Sequence, residues 1–135
     1  MNHTVHTHYM DQLHFSATLN EHNIVMDGAR EQSKGVSPKP LLLTALAGCT
    51  GMDVVSILNK KEIEFDNFSI DVRGDLTREE PRIYELIHIT FSVRIMPDML
   101  HEMDDAVRLS FASYCGVYAM LSKACKITYE VVLKE

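Results

Sequence analysis

The stretch that most constrains this chain is Ser37 to Lys60, SPKPLLLTALAGCTGMDVVSILNK. Ser37 can cap the free N–H groups of a first helical turn, and Pro38 suits the first helical position, where its missing N–H costs nothing. Between Leu41 and Met52 the only polar side chains are Thr44, Thr50 and Cys49. A helix apolar on every face has no solvent side, so it belongs inside a core or between subunits. At 1.5 Å per residue it would run about 35 Å, close to the diameter of a small domain. A single chain of 135 residues would struggle to cover it. Cys49 lies in its middle and is the first candidate for chemistry.

With 46% hydrophobic and 24% charged residues the chain has enough material for one core, and residues 1–135 are expected to form a single domain. The net charge is -6 and no Lys/Arg run exceeds the pair Lys60-Lys61, so a nucleic-acid partner is not expected. The first ten residues, MNHTVHTHYM, have no basic region followed by an apolar run. The apolar stretch from Leu41 reads as too short for a membrane span and is interrupted by Gly48, Gly51 and Asp53. A cytoplasmic location without membrane attachment is therefore expected. Cys49, Cys115 and Cys125 are odd in number and widely spaced, which is not the pattern of a disulfide framework.

Along the chain, Met1 to Met10 is polar and histidine-rich, with a loose start. His14 to Met26 reads as two short strands around Asn20-Glu21-His22-Asn23, and Asp27 to Gly35 as a polar loop. From Phe65 to Leu76 and from Arg82 to Met96 the apolar residues alternate with polar ones, predicting a long antiparallel hairpin with the turn at Thr77 to Pro81. Asp98 is placed to cap a second helix, Met99 to about Lys123, with one apolar stripe through Met103, Val107, Phe111, Tyr114, Tyr118 and Leu121. Ile127 to Leu133 closes as a strand. The order is β-β-α-β-β-α-β, an α+β design around a long buried central helix.

Ser37-Pro38, Ala47-Gly48-Cys49, the continuation Asp53-Val54-Val55-Ser56-Ile57-Leu58, Glu79-Glu80-Pro81-Arg82 in the hairpin turn and Tyr114-Cys115 occur in an order and spacing that resembles the OsmC/Ohr family of osmotically inducible and organic-hydroperoxide-resistance proteins. The match runs over nearly the whole length, nearest to an OsmC-like branch. The resemblance implies an intertwined homodimer with two long helices at its centre and active sites at the subunit interface. It also implies a thiol-dependent peroxidase, with Cys49 attacking an organic hydroperoxide, Cys115 resolving the sulfenic acid to a disulfide, and a separate thiol reductant restoring both. Neither a cofactor nor a metal is implied.

The family's peroxidases activate their thiol with an arginine from an early strand or loop, held by a glutamate directly after the helix-opening proline. Here Lys39 stands in that glutamate's place, and Arg30 is the only arginine before Arg73. Arg30 and Lys39 are the candidates for activation; Tyr114 and Tyr118, one turn apart beside Cys115, are candidates for lining a ligand pocket. Asp53, one turn after Cys49, would oppose a thiolate if it shared the pocket. The second reading is a dimer that binds or senses a small apolar or thiol-bearing ligand with little turnover. A hot-dog thioesterase shares the buried helix, but no carboxylate lies in the helix's first half. His3, His6 and His8 read as a polar tail rather than a metal site, and Cys125 as structural.

Overall fold

The computed structural model describes every residue from Met1 to Glu135. The chain separates into two compact units, Met1–Leu42 and Leu43–Glu135. The first is a three-stranded antiparallel sheet of β1 (His6–Asp11), β2 (His14–Leu19) and β3 (His22–Asp27) in that order. The two expected strands are present, and β1 is one more than the sequence pattern predicts. All six residues of β1 are exposed, so it is held by backbone pairing to β2 rather than by a buried face. Both tight turns contain a residue with positive φ, Gln12 at 43° and Asn20 at 57°.

Asp27, nearly buried at the end of β3, organises the polar loop that follows. Its carboxylate accepts hydrogen bonds from the backbone N–H groups of Ala29 (2.8 Å) and Lys34 (3.0 Å). The Lys34 contact, then the Ala29 contact, hold its carboxyl below the usual range. A depressed carboxyl stabilises the fold above its unfolded value, about pH 4, and that contribution is lost as pH falls through the folded value. Amide signals of β1 to β3 should therefore weaken on acidification through this window, and Asp27→Ala should remove that part of the pH dependence.

The second unit holds all but the first two residues of α1 (Leu41–Lys60), then β4 (Phe65–Leu76) and β5 (Tyr84–Ile95), which pair antiparallel as expected. The last strand, β6 (Lys126–Leu133), pairs parallel to β5, giving the order β4-β5-β6. Alternation along β5 sends Ile87, Ile89, Phe91, Val93 and Ile95 into the core, while His88, Thr90, Ser92 and Arg94 lie on the opposite, wetter side. Leu46, Val54 and Leu58 of α1 pack in the same core. Helix and sheet approach closely at Gly51, where a Cβ would come within 2.8 Å of Ile70 Cδ1.

Three local expectations are corrected. Helix α1 starts at Leu41, after a tight turn in which Pro38 and Lys39 carbonyls accept from the Leu41 and Leu42 N–H groups, so Ser37 and Pro38 precede the helix. Its 20 residues are long and apolar enough by length and composition to cross a membrane, although Leu46, Thr50, Gly51, Val54 and Leu58 are buried within the protein. The single second helix is instead a short 3-10 turn (Pro97–Met99), α2 (Leu100–Leu109), a π-helical turn (Ser110–Tyr114), one extended residue at Cys115, and α3 (Gly116–Leu121). Asp98 lies inside the 3-10 turn, and no side chain caps either that turn or α2.

Helix α1 is central but only half covered by its own chain. Leu42 and Met52 are exposed, Met52 by 75%. Beside Met52 runs an apolar groove of about 800 Å³, lined by Gly48, Gly51, Met52 and Val55 of α1 and by Phe68 and Ile70 of β4.

Candidate functional site

Cys49 stands in the middle of α1, and Asp53 follows it by four residues, which places both on one face of the helix. Cys115 arrives from the opposite side. The π-helical turn widens the backbone at Ser110–Tyr114, and Cys115 leaves the helical region (φ -80°, ψ 102°), which aims its side chain inward as the N-cap of α3. It is 3% exposed. Cys49 Sγ, Cys115 Sγ and a carboxylate oxygen of Asp53 all lie within 4.8 Å of one another. Sequence spacing offers no rule that brings the two sulfurs together; the kink at Cys115 does so.

Cys115 and Asp53 are each held by further contacts. Thr50 Oγ1 lies 3.4 Å from Cys115 Sγ, and the Tyr118 N–H donates to the same sulfur at 3.3 Å. Ser110, fully buried, donates its hydroxyl to Asp53 Oδ2 at 2.8 Å. Thr50 and Ser110 are functional neighbours that sequence reasoning missed. Their signal was their polarity: each interrupts an otherwise apolar helical face.

Burial is the largest influence on the Cys49 thiol and pushes it up, and the neighbouring Cys115 thiol pushes the same way. The Val117 N–H pulls it down, while charge on Cys115 and on Asp53 raises it further. No cation is among these principal influences. A raised thiol favours the neutral form, so its contribution to stability is complete below the ordinary thiol range, near about pH 8.5, and is lost as pH rises through the folded value. In metal-free protein, alkylation of Cys49 by iodoacetamide at pH 7 should be slower than that of a cysteine in an unstructured peptide, and should climb with pH beyond the ordinary thiol range. Asp53→Asn should move that profile to lower pH.

Arg30 and Lys39 both lie in the first unit, and both are exposed. Tyr118 is fixed by stacking on Phe111, with ring centroids 4.0 Å apart and planes 4° from parallel. Tyr114 is 63% exposed and has swung off the apolar stripe, because the π-helical turn adds a residue to the repeat. It lines a cavity of about 340 Å³ together with Asp53, Ser56, Lys60 and Leu109. Cys125 is half-buried near Leu121, to whose carbonyl its Sγ lies at 3.5 Å, away from the other thiols' contacts.

The family model for OsmC-like proteins matches residues 31–130. The chain belongs to the OsmC-like family. Protein YhfA of Escherichia coli K12 is 38% identical over 115 residues, a match covering 82% of this chain and 84% of that protein. A hypothetical protein from Aquifex aeolicus VF5 has the same fold with a TM-score of 0.84 at 29% identity, covering 100% of this chain and 99% of its own. An OsmC-family organic hydroperoxide resistance protein from Legionella pneumophila superposes with a TM-score of 0.69 at 13% identity, over 98% of each chain. The OsmC-like α+β architecture expected from the motifs is thus the architecture found, and its solved neighbours include proteins named for redox roles.

Proposed function

We propose that this OsmC-like chain is a thiol-dependent peroxidase that reduces organic hydroperoxides through Cys49 and Cys115. The observation that carries the reading is the placement of the two sulfurs within 4.8 Å of each other. The Cys49 thiolate attacks the distal oxygen of ROOH, the O–O bond breaks, and the alkoxide takes a proton and leaves as ROH. Cys49 is then a sulfenic acid. The Cys115 thiol attacks that sulfur, expelling water and forming the disulfide, and an external thiol reductant returns both cysteines to thiols. Cys115 is shielded from solvent and Cys49 is half-buried, which favours resolution over further oxidation.

Arg30 and Lys39 are the cations we assign to activation, and the loss of rate in Arg30→Ala and Lys39→Ala tests each. Tyr114, on the cavity wall, and Tyr118 are assigned to the hydroperoxide's organic part. The exposed apolar side of α1, with Met52 and the groove against Phe68 and Ile70, supports a homodimer, tested by light scattering on the eluting protein. A reducing cytoplasm suits a working dithiol.

The deciding experiment is intact mass under non-reducing conditions before and after one equivalent of an organic hydroperoxide. Rapid loss of two hydrogens, mapped to a Cys49–Cys115 disulfide, is the expected result; unchanged thiols after minutes would remove the peroxidase reading. One observation favours a second reading, a dimer that binds or senses a small apolar ligand with little turnover. Asp53 stands by the sulfurs and raises Cys49. A small apolar molecule released on denaturing the purified protein, together with unchanged thiols, would establish it.

A further inference from the structure

Asp53 has no part in peroxide chemistry as written above. A carboxylate 4.8 Å or less from two sulfurs opposes their ionisation, yet it is anchored there by a fully buried hydroxyl. Three anions so close require either protons or a cation between them. The residue types select the cation: two thiols and one carboxylate suit a tetrahedral, borderline-soft divalent ion such as zinc, whereas calcium and magnesium take oxygen ligands. We propose that reduced Cys49 and Cys115, with Asp53, form a site for such an ion, with the fourth position left to water or a small ligand.

The geometry fits with little movement. Zinc holds thiolates at about 2.3 Å and carboxylates at about 2.0–2.2 Å, so tetrahedral ligand atoms stand roughly 3.5–3.8 Å apart. With its ligand atoms within 4.8 Å of one another, the present cluster has to contract by about 1.3 Å at most, within reach of side-chain rotation. The surrounding contacts are those that orient metal ligands in general. Tyr118 donates its N–H to the Cys115 sulfur, and Ser110 holds the carboxylate. The three ligands come from two elements, α1 and the residue between the π-helical turn and α3, so the ion would join them without any sequence-adjacent ligand motif. Ion and disulfide are mutually exclusive, because both use the same two sulfurs.

The test is titration of the reduced full-length protein with cobalt(II) chloride under argon. Expected is one equivalent bound, with thiolate-to-cobalt charge-transfer absorption and the strong visible bands of a four-coordinate ion, displaced by one equivalent of zinc chloride. Cys49→Ser and Cys115→Ser should each abolish tight binding, Asp53→Asn should weaken it by about tenfold or more, and Cys125→Ser should leave it unchanged. Absence of the charge-transfer band in the native sequence would overturn the proposal, as would equal affinity in Asp53→Asn. A second measurement needs no variant: one equivalent of zinc should slow iodoacetamide alkylation of Cys49 by at least about tenfold while leaving Cys125 unaffected. Unslowed alkylation would also overturn it. Neither measurement uses a peroxide, so failure here and failure of the peroxidase reading are separate results.

Discussion

Cys49→Ser should reduce consumption of an organic hydroperoxide to the rate of buffer alone, a fall of about a thousandfold or more, while circular dichroism is unchanged. The hydroxyl is close to isosteric with the thiol but is hardly ionised near neutrality, and only the thiolate attacks the peroxide oxygen. A thousandfold loss corresponds to about 4 kcal/mol of transition-state stabilisation, the scale on which a nucleophile is felt. Cys115→Ser should behave differently. It should still consume the first equivalent, because the attacking sulfur is intact, and should then accumulate a dimedone-trappable sulfenic acid that proceeds to sulfinic acid with excess peroxide. Full activity in Cys49→Ser would remove that sulfur from the reaction altogether.

The second large effect is on stability. Phe91→Ala should destabilise the second unit by about 3–5 kcal/mol in chemical denaturation. Phe91 is fully buried at the centre of β5, and its ring meets three others: Phe68 at 6.5 Å, Phe111 at 6.5 Å and Tyr129 at 6.2 Å. Truncation removes the transfer free energy of the ring, leaves a cavity among elements that cannot all collapse onto it, and breaks aromatic contacts worth about 0.5–1.5 kcal/mol each. The consequence extends to the thiols. Phe111 is also the platform for Tyr118, whose N–H holds the Cys115 sulfur. Disulfide formation should therefore slow in Phe91→Ala even below its unfolding transition, and a destabilisation under about 1 kcal/mol would show that β5 is not the centre of this core.

How much of this was legible in the sequence follows from where side chains decide the structure. Strand β5 was legible because one of its faces is fully buried, so period-two alternation is strict from Ile87 to Ile95. Strand β1 was not, because none of its residues is buried and its pairing is a property of the backbone. Within the site, Cys49 and Asp53 were readable as a helical pair four residues apart. The break at Cys115 was hidden by apolar residues that keep recurring every three or four positions through Tyr114 and Tyr118. A π-helical turn inserts a residue without disturbing that pattern enough to show, although it carries Tyr114 to the surface. The polar Ser110 within the stripe and Gly116 just beyond Cys115 were the available marks of the interruption.

The parallel pairing of β6 with β5 also sets the order of events in time. Parallel neighbours cannot be joined by a tight turn; here the connection carries α2, Cys115 and α3 between them. Such a connection must close before the strand contacts repay its entropy, and pairings of this kind are slow to form. Cys115 can reach the middle of α1 only as that loop closes. During refolding, the moment at which Cys115 ceases to react with a thiol label should coincide with completion of the sheet rather than with the earlier winding of helices, making the sulfur a clock for the last step of assembly.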